Sequence, residues 1–292
     1  MIPDGRALIH LDKSAFIARA HGRDLLISSL EEDLSPKRML LVLDASKNVN
    51  AEAWKIETSL STFVIDGAPP QLSFGLVLLN ADVPPLDFAT PRESLYSRLK
   101  ELSSTRPAKA KPSEEDTYGG LMGALRLFGT PQFGDTIFAF FGGADESGRV
   151  NPSLLRDSFA KQGVRIFGFV LGEMSRSGFY MTSKDGDVPA DPDTGEIGAL
   201  AVQSGGLVAV ENTTMQTKTY HLTDDRLNQL EAWAHRFYQL TVVPYRIRVA
   251  ADPSAKPSEW SVDLNETIKK KAPGAGVLFP HQLLPCPSDV HR

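Results

Sequence analysis

The sequence predicts an α/β fold with a doubly wound, mostly parallel sheet flanked by helices and a small antiparallel β extension. Short runs that are entirely apolar, such as residues 39–43, are typical of strands buried on both faces. Amphipathic helical patterns alternate with these runs, which indicates parallel strands joined by helical crossovers. Beyond Leu240 the apolar residues recur with period two instead, which predicts an added antiparallel element.

The α/β domain is preceded by a segment with weaker strand signals. Residues 15–27 alternate loosely between apolar and polar side chains, and the charged turn at residues 31–38 follows them. This pattern predicts a short β-hairpin that leads into the larger domain.

The elements of the α/β domain follow one another regularly. Residues 39–43 form a buried strand that ends at Asp44, and residues 51–66 carry apolar side chains at helical spacing. The same alternation continues with predicted strands at 72–79, 136–141 and 164–171 and predicted helices at 91–102, 117–128, 152–162 and 224–240.

The segment between the strand at 164–171 and the final helix is less regular. Residues 172–192 are rich in Ser, Gly, Asp and Pro, which predicts a long loop. Residues 197–204 and 207–210 then continue the alternation on either side of a glycine pair.

The C-terminal part predicts strands and then a tail. Residues 241–249 and 260–264 alternate with no helix between them, so we expect them to form an antiparallel pair. Residues 273–292 show no periodicity. We therefore divide the chain into an N-terminal β segment that packs with the extension (1–37), the α/β domain (38–240), the β extension (241–270) and a tail (271–292).

Composition excludes several classes of protein. With 292 residues, 41% of them hydrophobic and 23% charged, the chain is long and apolar enough for an ordinary globular core. Its net charge of -5 gives no basic surplus for binding nucleic acid. Cys286 is the only cysteine, which excludes an intramolecular disulfide and a cysteine-based zinc site.

Membrane and targeting signals are missing from the sequence as written. No apolar run approaches the ~20 residues of a membrane span, and the N-terminus has no stretch of signal-peptide length. We therefore expect no membrane insertion. A cytoplasmic location follows for the chain as it begins, and a secreted or periplasmic one if the N-terminus is truncated.

Polar residues directly after the first buried strand are candidates for a binding site, because α/β sheets bind ligands where their strands end. Asp44 and Ser46 lie two positions apart on this turn, where a carboxylate and a hydroxyl can share a hard cation such as Mg²⁺. A capped turn between strand and helix would use the same two residue types.

The order of motifs resembles the von Willebrand factor A (vWA) domain. That family has an apolar strand ending in D-x-S-x-S, an amphipathic helix, and a T-x-x-G-x-x-x-A-L helix before the next apolar strand. The resemblance implies a metal-ion-dependent adhesion site (MIDAS) and one short antiparallel strand at the edge of the sheet. Asp44, Ser46 and Thr117 match its ligand positions, whereas Asn48 replaces a serine and Gly142 replaces the aspartate of the last motif.

The motif is therefore incomplete, and two interpretations stay open. Asp145 or Asp116 could supply the second carboxylate, in which case Mg²⁺ or Mn²⁺ would bind at Asp44, Ser46 and Thr117. Otherwise the site is a hydrogen-bonded anchor for the loops without a metal. The sequence predicts no obligatory cofactor.

A narrower resemblance extends beyond the domain. Three segments are similar to a bacterial, acidobacterial-type VWFA-related family: residues 20–27, residues 238–244 and residues 200–207, which contain an A-x-x-[ST]-G-G motif. The resemblance to the vWA domain covers roughly residues 38–240, and its specificity comes from the order of several short motifs.

Motifs of the common enzyme classes are missing. No dinucleotide-binding or P-loop glycine motif follows a strand, and there is no G-x-S-x-G nucleophile elbow. The resemblance implies a non-enzymatic module that binds another protein with loops around Asp44, Ser46, Asn48, Thr117 and Asp145. The alternative is a metal-assisted hydrolase that uses Asp44 and Asp145.

Overall fold

The structure is a computed structural model that describes residues 8, 10–46, 49–105, 116–142, 147–171, 192–210, 223–242, 244–250 and 260–281. In chain order, its strands are β1 (Phe16–Ala20), β2 (Arg23–Glu32), β3 (Arg38–Asp44), β4 (Ser73–Leu79), β5 (Thr136–Phe141), β6 (Arg165–Val170), β7 (Leu207–Val210), β8 (Tyr245–Ala250) and β9 (Trp260–Leu264). Its α-helices are α1 (Ala51–Asp66), α2 (Arg92–Ser104), α3 (Thr117–Arg126), α4 (Pro152–Gln162), α5 (Pro192–Ser204), α6 (Asp224–Val242) and α7 (Glu266–Lys271).

The central sheet has the strand order β4-β3-β5-β6-β7, and every pairing in it is parallel. The apolar run at residues 39–43 lies in β3, between β4 and β5, and each of its side chains is 0% exposed. The prediction of an interior strand at this position is confirmed, and so is the doubly wound α/β fold class.

Helices cover both faces of this sheet because successive residues of a strand point to opposite sides. On one face, Leu41 and Leu43 pack in a core with buried residues of α1, α2 and α6. On the other face, Leu40 and Val42 pack in a core with buried residues of α3, α4 and α5. The all-apolar sequence of β3 follows from this two-sided burial.

A second, antiparallel sheet has the order β8-β2-β1-β9. It confirms the small β extension and the N-terminal hairpin, but the expected pairing of the two C-terminal strands is wrong. The hairpin lies between them: Ile247 of β8 pairs with Leu30, and Val262 of β9 pairs with Ala18. Both C-terminal strands alternate as expected because one face of this sheet covers its own apolar cluster.

The end of the final helix also differs from the prediction, since α6 continues through Thr241 and Val242 instead of giving way to a strand at residue 241. The buried Thr241 hydroxyl donates to the carbonyl of Tyr238, which keeps the last turn helical. Arg165 donates to the carbonyl oxygens of Leu240 and Thr241, at 3.3 and 3.5 Å. A cation at this end of a helix stabilises the unpaired carbonyls.

Two features C-terminal to β9 had no periodic signal in the sequence. The short helix α7 begins after Asn265, whose side chain accepts a hydrogen bond from the backbone of Ile268. Residues 275–281 then pack on the second sheet through Val277 and Phe279. The backbone N–H of His281 donates to the carbonyl of Gln203 at 2.8 Å, so this segment, residues 275–281, joins the second sheet to α5.

The antiparallel edge strand that the family resemblance implied is reduced in the part of the chain described here. Next to β4, antiparallel pairing is limited to an isolated bridge between Leu76 and Leu86, whose two backbone hydrogen bonds measure 2.8 and 2.9 Å. The neighbouring segment contains Pro84 and Pro85, which lack the N–H donors that a longer ladder requires.

The second sheet joins the central domain where β2 leads into β3 and where α6 leads into β8. Asp33 lies at this junction: its backbone donates to the carbonyl of Pro244, and its side chain pairs with Lys37 at 2.9 Å and with Arg246 at 2.6 Å. This junction is at the amino edge of the central sheet, since β3 starts at Arg38. At the opposite edge, where β3 ends at Asp44, the strands lead into loops.

Candidate functional site

The candidate site lies at the carboxyl edge of the central sheet, where β3, β4 and β5 end side by side. Asp44 is the last residue of β3 and is 1% exposed, and Ser46 beyond it is 2% exposed. Asn80 follows the last residue of β4, and Gly142 follows the last residue of β5. Because the strands are parallel, residues that are far apart in sequence meet around Asp44.

Among the described residues, three donors make hydrogen bonds to the side chain of Asp44. One carboxylate oxygen accepts the backbone N–H of Ser46 at 2.9 Å and the side-chain amide of Asn80 at 3.0 Å. The other oxygen accepts the backbone N–H of Gly142 at 2.7 Å. These bonds join the loops after three strands, and they stabilise a carboxylate that is almost entirely out of solvent.

Asn80 is a central residue of the site that sequence reasoning missed. Its side-chain nitrogen donates to Asp44, and its side-chain oxygen accepts the backbone N–H of Asp116 at 3.1 Å. Its φ of 57° lies in the left-handed region, which asparagine tolerates better than most residues. Its position directly after a buried strand was the signal that could have identified it.

Glu57 is a second residue that the sequence patterns did not single out. It is 0% exposed on α1, and its carboxylate accepts the backbone N–H of Asp44 at 2.8 Å. Ala53 and Ile56 lie on the same buried face of the helix. An acidic residue inside an apolar stripe was the available signal, because a buried carboxylate requires polar partners.

The start of α3 contributes the next part of the site. Asp116 caps this helix by accepting the backbone N–H of Gly119 at 2.9 Å, and it also accepts the hydroxyl of Ser147 at 3.1 Å. Arg149 lies 3.7 Å from the same carboxylate. Thr117 is the first residue of the helix and is 1% exposed. The carboxylate of Asp116 therefore serves as a helix cap and holds the loop after β5.

Gly142 has a steric reason to lack the aspartate of the vWA motif. A Cβ atom built on this residue would lie 2.3 Å from Cγ2 of Val49 and 3.0 Å from a carboxylate oxygen of Asp44. The first distance is shorter than any real contact, and the second would bring a new carboxylate against an existing one. An aspartate at position 142 therefore requires Val49 to move.

Of the predicted site residues, Asp44 and Ser46 are in direct contact, and Asn80 connects Asp44 to Asp116, the residue before Thr117. Whether Asp44, Ser46 and Thr117 bind a ligand or a metal stays a prediction. Asn48 and Asp145 lie outside the described residues, so their predicted roles stay predictions.

The described site residues do not fit a hard divalent cation. Three N–H groups take up three of the roughly four lone-pair positions of the Asp44 carboxylate, which leaves about one for a cation. Over the described ranges, no group of three or more His, Cys, Asp or Glu residues is arranged to hold a metal ion. The predicted set of Asp44, Ser46 and Thr117 offers a single carboxylate.

Among the helices described, none has the length and apolar character to cross a membrane. No known family model matches the chain, and no curated protein sequence matches it either.

Solved structures resemble this one in fold. Proximal thread matrix protein 1 from the mussel byssus, solved with a zinc-occupied MIDAS motif, gives a TM-score of 0.51 at 15% identity over 76% of this chain. The human COPII-coat protein Sec24c gives 0.48 at 14% identity over 68%, and the VWA domain of SpRpn10 gives 0.44 at 12% over 66%. The match covers 50% of the mussel protein, 32% of Sec24c and 93% of the SpRpn10 domain.

These identities show likeness of fold and carry no residue roles from one protein to another. The narrower resemblance to a bacterial VWFA-related family stays a prediction. With its parallel sheet, its flanking helices and the motif order around Asp44, the chain has a von Willebrand factor A-like fold.

Proposed function

We propose that this chain is a non-enzymatic protein-binding module that contacts its partner with the loops at the carboxyl edge of the central sheet. The observation that supports it is that the longest connections between elements lie at the carboxyl edge of the sheet. The connections that leave the carboxyl ends of strands are residues 45–50, 80–91, 142–151, 171–191 and 211–223. At the opposite edge, the connections from helices into β4, β5, β6 and β7 are shorter on the whole: residues 67–72, 127–135, 163–164 and 205–206. Long connections on one edge of a rigid scaffold are where binding surfaces usually form.

The chemistry of the site supports binding over catalysis. A hydrolase that uses Asp44 would need this carboxylate to reach a substrate or a metal-bound water. Instead it is 1% exposed and accepts three N–H donors. A general base must lie within hydrogen-bond reach of the proton that it removes.

Described residues of the carboxyl-edge loops offer groups suited to a protein partner. Asp82 and Arg149 are exposed charges of opposite sign, and Pro84 and Pro85 are exposed in the loop after β4. Proline restricts the backbone, so a partner binding there immobilises less flexible chain. The similar mussel structure is that of a thread matrix protein, which accords with a role other than catalysis.

The test is affinity capture with the purified protein, compared with a charge-reversal variant of the carboxyl-edge loops that combines Asp82→Lys with Arg149→Glu. We expect a partner captured by the unmodified protein to bind the variant at least tenfold more weakly, because opposite charges at an interface become like charges. Asp24→Lys with Lys161→Glu is the matched control, since both residues are exposed and lie outside these loops.

A partner that binds both variants equally would place the interface elsewhere and contradict the proposal. A second assay offers ester, phosphoester and peptide substrates to the purified protein with Mg²⁺ or Mn²⁺. Turnover that disappears in Asp44→Ala would make the chain an enzyme and reject the binding module.

A further inference from the structure

At the carboxyl edge, the side chain of Asn80 contacts two acidic residues that belong to different segments of the chain. The amide of Asn80 donates to Asp44 at the end of β3 and accepts from the backbone of Asp116 at the start of α3. Asp44 and Asp116 are 72 positions apart in the sequence. Asn80 therefore connects these two segments directly.

We infer that Asn80 takes the structural role of a metal ion at this edge, so that the loops are held in place without a divalent cation. This inference concerns what fixes the loops, and it holds whether or not they bind a protein.

The argument rests on the direction of the contacts at Asp44. A cation in a MIDAS-type site attracts carboxylate and hydroxyl oxygens from separate loops. Here the donor that reaches Asp44 from the neighbouring loop is an amide N–H, 3.0 Å away, and the backbone N–H of Gly142 approaches the other oxygen at 2.7 Å. Both are polarised hydrogens that neutralise a carboxylate as a cation would. A cation and the amide of Asn80 would therefore compete for the same place beside the Asp44 carboxylate.

The backbone conformation of Asn80 allows the inference to be tested by substitutions that cause little strain. Its φ of 57° is accessible to Asn, Asp and Gly, so these three residues can be exchanged with little backbone strain. Asn80→Asp keeps the oxygen that accepts from Asp116 and replaces the donating nitrogen by a second oxygen. This oxygen would face the Asp44 carboxylate at about the present 3.0 Å. Two carboxylates at this separation repel each other unless a cation lies between them.

The experiment measures the thermal unfolding midpoint, Tm, of the full chain in EDTA and in increasing Mg²⁺ or Mn²⁺. We expect the Tm of the unmodified protein to be the same in EDTA and in either metal. Asn80→Asp should lower Tm in EDTA by roughly 5 °C or more. Mn²⁺ should recover most of that loss in a saturable manner.

Two control variants separate this effect from general destabilisation. Asn80→Gly keeps the backbone conformation and removes both side-chain hydrogen bonds, so its Tm should fall by roughly 3–6 °C with no recovery in Mn²⁺. Asn151→Asp makes the same chemical change at the N-cap of α4, where an aspartate can accept the same hydrogen bond from Ser153. Its Tm should not respond to the metal.

Three results would overturn the inference. The first is a saturable rise of Tm with Mn²⁺ in the unmodified protein that Asp44→Ala abolishes, because a cation would then already hold the site. The second is an Asn80→Asp protein whose Tm is indifferent to cations. The third is an Asn80→Gly protein as stable as the unmodified chain.

Discussion

Arg38 is the side chain with the densest set of polar and aromatic contacts at the amino edge of the central sheet. Its guanidinium donates to both carboxylate oxygens of Asp135, at 2.6 and 2.9 Å, and to the carbonyls of Phe128 and Thr130. It also lies over the rings of Phe88 and Phe128, 5.3 and 5.4 Å from their centres, and these two rings contact each other with centres 4.9 Å apart. The Asp135 side chain is 1% exposed, so this ion pair lies out of contact with solvent on the carboxylate side.

Replacing Arg38 should therefore destabilise the protein strongly. We expect Arg38→Met to reduce the free energy of unfolding by about 3–5 kcal/mol, because it leaves a buried carboxylate without its cation. Arg38→Lys should recover only part of this, since an ammonium group cannot make the two parallel bonds or stack on the rings. Urea denaturation measures both variants.

The control for this prediction is Arg19→Met. Arg19 pairs with Asp24 at 2.8 Å, but both side chains are more than half exposed. We expect a change below about 1 kcal/mol there. A similar cost for Arg19→Met and Arg38→Met would show that burial of the pair does not decide its contribution.

Asp33 makes the stability of the junction between the two sheets dependent on pH. Burial by itself raises the pKa of this carboxyl, but hydrogen bonds from Ser35 and Lys37, together with the Lys37 charge, bring it well below its ordinary value. A carboxylate whose pKa is depressed by folding stabilises in full above its unfolded pKa, about 4, and this contribution is lost progressively as the pH falls below it.

We therefore expect Asp33→Asn to be less stable than the unmodified protein at pH 7 and the difference to shrink as the pH falls from 4 toward 2. Urea midpoints measured across this range test the prediction. Asp24→Asn changes an exposed carboxylate of β2. The urea midpoint of this variant should change with pH in the same way as that of the unmodified protein. If the Asp33→Asn difference were the same at pH 3 and pH 7, the carboxylate would not be the source of the effect.

At the scale of residues, only part of the site could be predicted from the sequence. Asp44, Ser46 and Thr117 were identifiable because they belong to a motif with fixed spacing. Asn80 and Glu57 gave weaker signals, and their roles could not be predicted because these depend on which strands and helices lie next to Asp44. One sequence gives the residue types, but which distant residues become neighbours is known only from the tertiary structure.

The Ser204-Gly205-Gly206 segment shows how one turn connects two elements. The Ser204 hydroxyl accepts the backbone N–H of Ile166 and donates to the carbonyl of Ala201, at the end of α5. Gly205 has a φ of +79°, and a Cβ on it would lie 2.6 Å from the backbone nitrogen of Pro280. This turn is where the 275–281 segment crosses α5, so a side chain there meets backbone atoms that cannot rotate away.

We expect Gly205→Ala to destabilise the protein by about 2 kcal/mol or more, from strain at positive φ and from displacement of residues 279–280. Hydrogen exchange should become faster for amides of β1 and β9, because Phe279 contacts Trp260 with ring centres 5.3 Å apart. Amides of β3 should keep their protection.

Gly123→Ala is the control for this substitution. Gly123 lies in α3 without positive φ, and a Cβ there has no atom within 4 Å. Alanine is the better helix former, so this change should be neutral or slightly stabilising. Equal loss of stability in the two variants would mean that the crossing at Pro280 does not matter.

At the scale of elements, local patterns predicted the strands and helices of the central domain well. The runs that became β3, β5 and β6 are apolar on both faces, and their predicted bounds agree with the structure to within one residue. The pairing of β8 with β9 was wrong because two alternating segments close in sequence are the usual hairpin. Here the N-terminal hairpin separates them, and the information about that lies more than 200 residues away.

At the scale of the whole molecule, the junction between the two sheets and the candidate binding site lie at opposite edges of the central sheet. The second sheet and the Asp33 junction occupy the amino edge, and the network around Asp44 and Asn80 occupies the carboxyl edge. Residues that hold the two sheets together are therefore separate from residues that shape the candidate binding loops. Substitutions at Asp33 and at Asn80 should be independent of each other, since distant sites without shared partners have additive effects on stability.

The strand order β8-β2-β1-β9 has a consequence during translation. The side chains of Glu32 and Tyr245 are hydrogen-bonded in the folded protein but are 213 positions apart. At roughly 5–20 residues per second, a ribosome needs on the order of 10–40 s to synthesise the chain between them. Throughout that time the first hairpin exists without either outer strand, and a two-stranded hairpin alone is only marginally stable in water. The strands β1 and β2 therefore leave the ribosome before the strands of the central sheet, but their own sheet can be completed only after the central one.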